Sequence, residues 1–206
     1  IEIVPLSLCG FNPPSTSLGQ ASHQGLVINE VAWMGSANSA VDEWIEIKNI
    51  SGAEIDLSGW QLVDLKDEIQ IQLSGKLAAS GFYLLERTDD SSVPTVSADQ
   101  IYTGALANVG EGLRLFNKDC GLVDEVLAAP DFPAGENNFK YTMERATDFS
   151  WRNYNGSVQN GIYGTPKAEN SPGSAPINNF GGGGQGASAQ PVAQQQVFRR
   201  IAAQAE

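Results

Sequence analysis

Short runs in which apolar and polar residues alternate follow one another from Leu26 onwards, with turn residues between them. In one run Ile45 and Ile47 share a face, and in another Ile69 and Ile71 do so. A period of two residues is typical of strands with one buried face, and strands at about ten-residue spacing are typical of a sandwich or barrel. No sustained helical period interrupts this region. The pattern predicts an all-β, immunoglobulin-like β-sandwich of about eight strands.

The two ends of the chain differ from this middle region in composition. The first 25 residues join a loosely alternating stretch, interrupted by Pro5, to a Pro- and Ser-rich linker, which indicates an extended N-terminal arm. After Ser171 the chain is rich in Gly and Gln, which favours a flexible C-terminal tail. The predicted organisation is an arm (1–25), a sandwich (26–171) and a low-complexity tail (172–206) that ends in a short amphipathic helix.

Charge narrows the range of partners. The chain has 24 Asp and Glu against 12 Lys and Arg, for a formal net charge of -12. Between Leu26 and Ser171 there are 22 acidic and 10 basic residues, so this segment alone accounts for the whole net charge of -12. Binding to nucleic acid is disfavoured, because such affinity depends on cations that neutralise phosphates. The sequence has no apolar run of about 18 residues, and no membrane span is predicted.

The chain contains two cysteines, Cys9 and Cys120. They either form one disulfide in an oxidising compartment or are two unrelated buried thiols, and the sequence leaves both alternatives open. A bridge would staple the arm to the turn before residue 121. By the chain-entropy account, a closed loop of this length adds about 4 kcal/mol to stability.

Six motifs, in order along the chain, carry a family resemblance: VINEVAWMGS, DEWIEIKN, IDLSGWQLVD, GFYLLER, ERATDFSWRN and GTPKAENS. Together they resemble the bacterial lamin-tail domain from Leu26 to about Ser171. The resemblance implies an immunoglobulin-like sandwich without enzymatic activity or an agreed catalytic constellation. It also implies a bacterial protein that is extracellular or on the cell surface.

Acidic residues are the main candidates for chemistry. A pair among Glu30, Asp42, Glu43, Glu46 and Asp89-Asp90 could in principle catalyse glycoside hydrolysis. The favoured interpretation is instead a solvated acidic surface with turn residues. The only histidine, His23, lies in the linker, so neither a nucleophilic triad nor a zinc site is predicted.

Two further features have a structural and a functional interpretation. The acidic turns RTDDSS and NKDCG offer oxygen ligands, but neither has the spacing of an EF-hand loop. No cofactor is therefore predicted, and calcium is kept as the less favoured alternative. The four tryptophans, which could form a platform for sugars, are predicted to pack in the sandwich: Trp33, Trp44, Trp60 and Trp151.

Two functions remain open. The first is a structural subunit of an extracellular filament or surface assembly, in which the arm or the tail of one copy binds the next copy. The second is a secreted binding or targeting module, attached by a flexible linker to a larger enzyme. For the first, the residues predicted to contact other copies are the apolar and basic ones of the two ends: Ile1, Ile3, Val4, Leu6, Leu8, Phe180, Val197, Phe198, Arg199, Arg200 and Ile201.

Overall fold

The computed structural model describes Cys9 and residues 21–66, 68–158 and 161–173. Within these ranges the regular structure consists of twelve β-strands, without a helix that is long and apolar enough to cross a membrane. The strands are β1 (Leu26–Ala32), β2 (Trp44–Asn49), β3 (Ile55–Asp56), β4 (Gln61–Asp64), β5 (Gln70–Gln72), β6 (Lys76–Leu77), β7 (Phe82–Arg87), β8 (Gln100–Tyr102), β9 (Gly112–Phe116), β10 (Leu122–Leu127), β11 (Met143–Arg145) and β12 (Trp151–Asn153).

The strands form two packed sheets and a short ribbon. The larger sheet has six strands in the order β12-β11-β1-β2-β7-β8, the smaller sheet has four in the order β10-β9-β4-β5, and β3 pairs with β6. Neighbouring strands are antiparallel, apart from β7 and β8, which run parallel. Two sheets that share one apolar core make an immunoglobulin-like β-sandwich, and the predicted fold class is confirmed.

The alternation of apolar residues builds the core between the sheets. Ile45 and Ile47 of β2 are fully buried there, and Leu62 and Leu115 meet them from the smaller sheet. Ile71 of β5 points into the same core, whereas the glutamines on either side of it are exposed. Each buried aliphatic side chain contributes about 1.5–3 kcal/mol, so this layer is the main source of stability.

The outer face of the larger sheet is also covered. Five apolar side chains form a second cluster there: Ala32, Trp44, Leu84, Val93 and Ile162. Val93 belongs to the connection between β7 and β8. Ile162 belongs to residues 161–173, which we call the terminal strap. Because β7 is covered on both faces, its sequence is almost continuously apolar rather than alternating.

Cys9 lies on the outer face of the smaller sheet. It forms a disulfide with Cys120, with 5.2 Å between the two Cα atoms. Its backbone N–H donates to Oε1 of Gln61 at 2.8 Å, and its side chain is buried against Val63 and Phe116. Of the two alternatives that the sequence left open, the structure thus has the disulfide. The bridge fastens the arm to the sandwich at this point.

The number of strands exceeds the expected eight or so. Six strands, β3, β5, β6, β8, β11 and β12, contain only two or three residues, and in so short a strand an alternating pattern is hard to recognise. The residues predicted to contact other copies lie outside the described part of the chain and stay predictions: Ile1, Ile3, Val4, Leu6, Leu8, Phe180, Val197, Phe198, Arg199, Arg200 and Ile201.

Candidate functional site

Three glutamates stand side by side on the outer face of the larger sheet. The strand register pairs Glu30 of β1 with Glu46 of β2 on one side and with Glu144 of β11 on the other. All three side chains are fully buried. Neighbouring carboxylates out of water repel one another unless they are protonated or accept hydrogen bonds. The arrangement therefore requires donors from another part of the chain.

The terminal strap supplies these donors. Each carboxylate accepts a backbone N–H from it: Thr165 to Glu30 at 3.0 Å, Lys167 to Glu46 at 2.5 Å, and Ser171 to Glu144 at 2.8 Å. Asn29, beside the three glutamates that we call the cluster below, donates to Oε1 of Glu46 at 2.8 Å. The strap has little regular structure, so its backbone amides depend on these side-chain acceptors. The carboxylates thus hold an irregular segment on the sheet.

Burial favours the protonated form of the carboxyl groups in this network. Burial, with a smaller contribution from the charge of Glu144, raises the pKa of Glu30 to about 8. Burial, followed by the charge of Glu30, likewise raises the pKa of Glu46. The Thr165 hydroxyl lies 2.8 Å from Oε2 of Glu30 and 3.0 Å from Oε1 of Glu144, and it has one hydrogen to donate. A proton held on Glu30 lets both contacts be hydrogen bonds.

The strap approaches the sheet too closely for a side chain at Gly164. A Cβ atom there would lie 2.6 Å from Oε1 of Glu30 and 2.9 Å from both Thr142 and Trp44. These distances are shorter than van der Waals contact. Glycine at this position is therefore what allows Thr165 to reach the cluster.

A buried ion pair between Arg145 and Asp124 links the two sheets beside the three glutamates. The Arg145 guanidinium lies 2.5 Å from Oδ2 of Asp124, donates to the backbone oxygen of Ile28 at 3.1 Å, and stacks on Trp151 with 3.8 Å to the ring. Burial raises the pKa of Asp124 and lowers that of Arg145. The ring nitrogen Nε2 of His23 lies 3.1 Å from Oδ1 of Asp124. The end of the predicted linker is thus bound to the sandwich.

An open groove of about 620 Å³ runs between the strap, β1, β2 and β12. Apolar and cationic side chains line it, among them Val27, Lys48, Ile50, Phe149 and Arg152. Lys48 is paired with Glu169 at 2.6 Å, and Arg152 lies 3.5 Å from Glu144. The groove therefore has an apolar lining, and its cationic side chains Lys48 and Arg152 are each paired with a glutamate.

The expectation of a solvated acidic surface is wrong for three of the candidate carboxylates. Glu30, Glu43 and Glu46 are almost completely buried, whereas Asp89 and Asp90 are exposed in a turn as expected. Glu43 accepts the backbone N–H of Leu106 at 2.8 Å and pairs with Arg87 at 3.2 Å. Backbone amides replace water around these carboxylates. A polar residue that alternates with apolar residues was therefore not exposed to solvent here.

The tryptophans pack in the sandwich as predicted. Trp33 and Trp44 are buried, and Trp60 and Trp151 are partly buried against the central core. For metals, no group of three or more His, Cys, Asp or Glu side chains in the described ranges is placed to hold an ion.

Several residues of the site had no assigned role from the sequence. Glu144, Thr165, Asn170 and Ser171 all join the hydrogen-bond network around the cluster. Their signal was present, because all four lie in the motifs ERATDFSWRN and GTPKAENS. Only the fold shows that the first motif, on β11 and β12, is in contact with the second motif, in the strap.

The fold and the site define a class of protein, an immunoglobulin-like β-sandwich module whose terminal segment is locked onto one sheet. The profile of the Lamin Tail Domain matches residues 19–128, which is more than half of the chain. The chain belongs to the lamin tail domain family, whose domains are non-enzymatic. No curated protein matches it. The matched segment ends at Ala128, although β11, β12 and the strap belong to the same sandwich.

Proposed function

We propose that this protein is a non-catalytic structural subunit of an extracellular filament or surface assembly, whose copies are joined through the arm or the tail. The observation that carries the proposal is the fastening of both terminal segments. The disulfide fixes Cys9 on the smaller sheet, and the strap is bound on the larger sheet as far as Ser171. Cys9 and the strap are thus two points at which the chain is anchored on the sandwich, and residues 1–8 and 174–206 adjoin them in the sequence.

Three further observations support this function. A disulfide is typical of extracellular compartments, which agrees with a bacterial surface or secreted location. Glu30, Glu46 and Glu144, the carboxylates that could have served as acids or bases, are out of contact with solvent and hold the strap. The outer strands β5 and β8 each pair on one side only among the described strands, which suits the addition of an extended segment from another copy.

The test compares the full chain with two shortened chains. One ends at Gly173, so that the strap is kept, and the other lacks residues 1–8. Negative-stain microscopy and sedimentation velocity are expected to show filaments or sheets for the full chain and their loss in one of the shortened chains. A chain in which residues 174–206 are shuffled controls for length and composition. Monodisperse single particles from every sample would overturn the proposal.

The second candidate is a secreted binding or targeting module on a flexible linker. The groove of about 620 Å³ favours it, because apolar concave surfaces with a few polar groups are typical of ligand sites. The same experiment separates the two functions. A module on a linker stays monomeric, and a partner would then be sought with variants of Phe149 and Ile50 in the groove.

A further inference from the structure

Four aromatic rings cluster where the terminal strap meets residues 139–154, and they range from exposed Phe139 to buried Tyr154. Phe139 stacks on Tyr141, with 5.6 Å between ring centroids and 24° between planes. Tyr141 meets the edge of Tyr163 at 5.1 Å and lies 6.5 Å from Tyr154. Phe139 is 62% exposed, more than any other large hydrophobic side chain in the described ranges. The contact of this exposed apolar ring with water is unfavourable, and packing within the fold does not remove it.

The rings are held in place by the fold. The backbones of Glu136 and Tyr141 exchange two hydrogen bonds, at 2.9 and 3.1 Å, so residues 137–140 form the tip of a short hairpin. Lys140 fastens this tip, because its Nζ donates to the backbone oxygen of Met34 at 3.0 Å and to the side chain of Asn137 at 2.7 Å. The N–H of Thr142 bonds the backbone oxygen of Tyr163, which ties the strap to the same place. The ring surface is therefore preorganised.

The residues next to Phe139 in the hairpin are polar rather than aliphatic. The hairpin sequence from Gly135 to Lys140 is GENNFK, in which no residue is Ala, Val, Leu, Ile or Met. Asn137 and Asn138 are exposed beside Phe139, and they present amide donors and acceptors. A protein partner is favoured by a broad apolar patch, whereas a ring next to amides suits a ligand with one apolar face and hydroxyl groups around its rim.

We propose that Phe139, Tyr141 and Tyr163 form a platform that binds neutral glycans, by stacking the C–H face of a pyranose on Phe139 while Asn137 and Asn138 bond its hydroxyl groups. The charge of the sandwich selects against anionic sugars, since the segment from Leu26 to Ser171 has 22 acidic and 10 basic residues. β-Linked glucose and N-acetylglucosamine polymers have the equatorial substituents that leave such a face open. None of these residues belongs to the segments proposed to join copies, so glycan binding is tested separately from self-assembly.

The test is affinity electrophoresis of the full chain in native gels that contain hydroxyethyl cellulose, laminarin or soluble glycol chitin, with polygalacturonate as the anionic control. The wild-type chain is expected to be retarded by at least one neutral polymer and not by polygalacturonate. Phe139→Ala is expected to weaken the binding at least tenfold, and Phe139→Trp is expected to retain it. Ile101→Ala serves as the control, because Ile101 is also an exposed apolar side chain but lies on β8, at the edge of the larger sheet opposite β12.

Two outcomes would overturn the proposal. The first is the absence of retardation in all three neutral polymers. The second is equal retardation of wild type and Phe139→Ala. Sedimentation velocity on the same samples tests the alternative occupant: if Phe139→Ala abolishes self-association and leaves the gels unchanged, the rings are a contact between copies. Loss of glycan binding with assembly intact supports the platform and leaves the proposed structural role untouched.

Discussion

The backbone amide of Thr165 donates to both carboxylate oxygens of Glu30, at 3.0 and 3.1 Å, although 135 residues separate them in the chain. This contact joins the first strand of the sandwich to the last described segment. A hydrogen bond between a buried carboxyl group and a backbone amide fixes the position of the strap on the sheet. Apolar packing of Ile162 alone would not fix it, because such packing is not directional. The strap is therefore held by directional bonds as well as by burial.

Stability is expected to fall as the pH rises from about 5 to about 9. The pKa of Glu30 is about 8 in the folded chain against 4.5 for the free side chain, so the folded state binds more protons in this window. Burial raises the pKa of Glu43 and of Glu86 to about 7, which acts in the same direction. Urea unfolding at pH 5.5 and 8.5 is expected to differ by on the order of a few kcal/mol.

The Glu30→Gln variant isolates the contribution of the cluster to that pH dependence. Glutamine has the shape of the protonated glutamic acid, so the variant is expected to keep most of the stability at pH 5.5 and to lose less than wild type at pH 8.5. Glu54→Gln is the matched control, because Glu54 is exposed and pairs with Lys76 on the surface. An identical pH dependence in wild type and Glu30→Gln would contradict the assigned role of Glu30.

Gly164→Ala is expected to destabilise the chain by about 1–3 kcal/mol, the usual cost of forcing a methyl group into packed surroundings. The added Cβ would lie 2.6 Å from the Glu30 carboxylate. Gly52→Ala is the control, since nothing lies within 4 Å of a Cβ there and its backbone needs no positive φ. Thermal unfolding measures both, and equal effects of the two substitutions would show that the strap is not in close contact with the sheet.

Breaking the disulfide is expected to cost about 4 kcal/mol, because the bridge closes a loop between residues 111 apart. The double variant Cys9→Ala/Cys120→Ala tests this in urea unfolding, and wild type under reducing conditions should match it. Mass spectrometry of the alkylated, unreduced chain reports whether the bridge forms. Free thiols in that sample, or an unchanged unfolding midpoint in the double variant, would contradict the prediction.

The fold could be predicted from the sequence because its main signal is local. Ile45 and Ile47 alternate with polar residues within a single strand, so their burial follows from the period of two. Glu46, between them, followed the same rule in pointing to the other face. The rule also predicts that Glu46 is exposed to solvent, and this part is wrong. The face to which Glu46 points is covered by a segment about 120 residues away, which no local pattern reveals.

The candidate site depended on contacts of that distant kind. Glu30, Glu144 and Thr165 lie far apart in the chain, and each alone is an ordinary polar residue in a strand or a loop. Their role arises from the register of β1 with β11 and from the path of the strap. The aromatic platform was missed for the same reason, since Phe139 and Tyr163 belong to different loops. The tryptophans drew attention because their type is distinctive, yet they serve packing.

The pair formed by Arg145 and Asp124 makes the last prediction. Arg145→Met is expected to cost about 3–5 kcal/mol, because it removes the guanidinium that pairs with the buried Asp124. Arg145→Lys keeps the charge but cannot also donate to the backbone oxygens of Ile28 and Phe149, at 3.1 Å each, so it is expected to recover only part of this loss. Asp124→Asn combined with Arg145→Met removes both charges, and its cost in urea unfolding is expected to be well below the sum of the single variants. Additive costs would show that the two side chains are stabilised independently, and that the pair does not close the sandwich at this end.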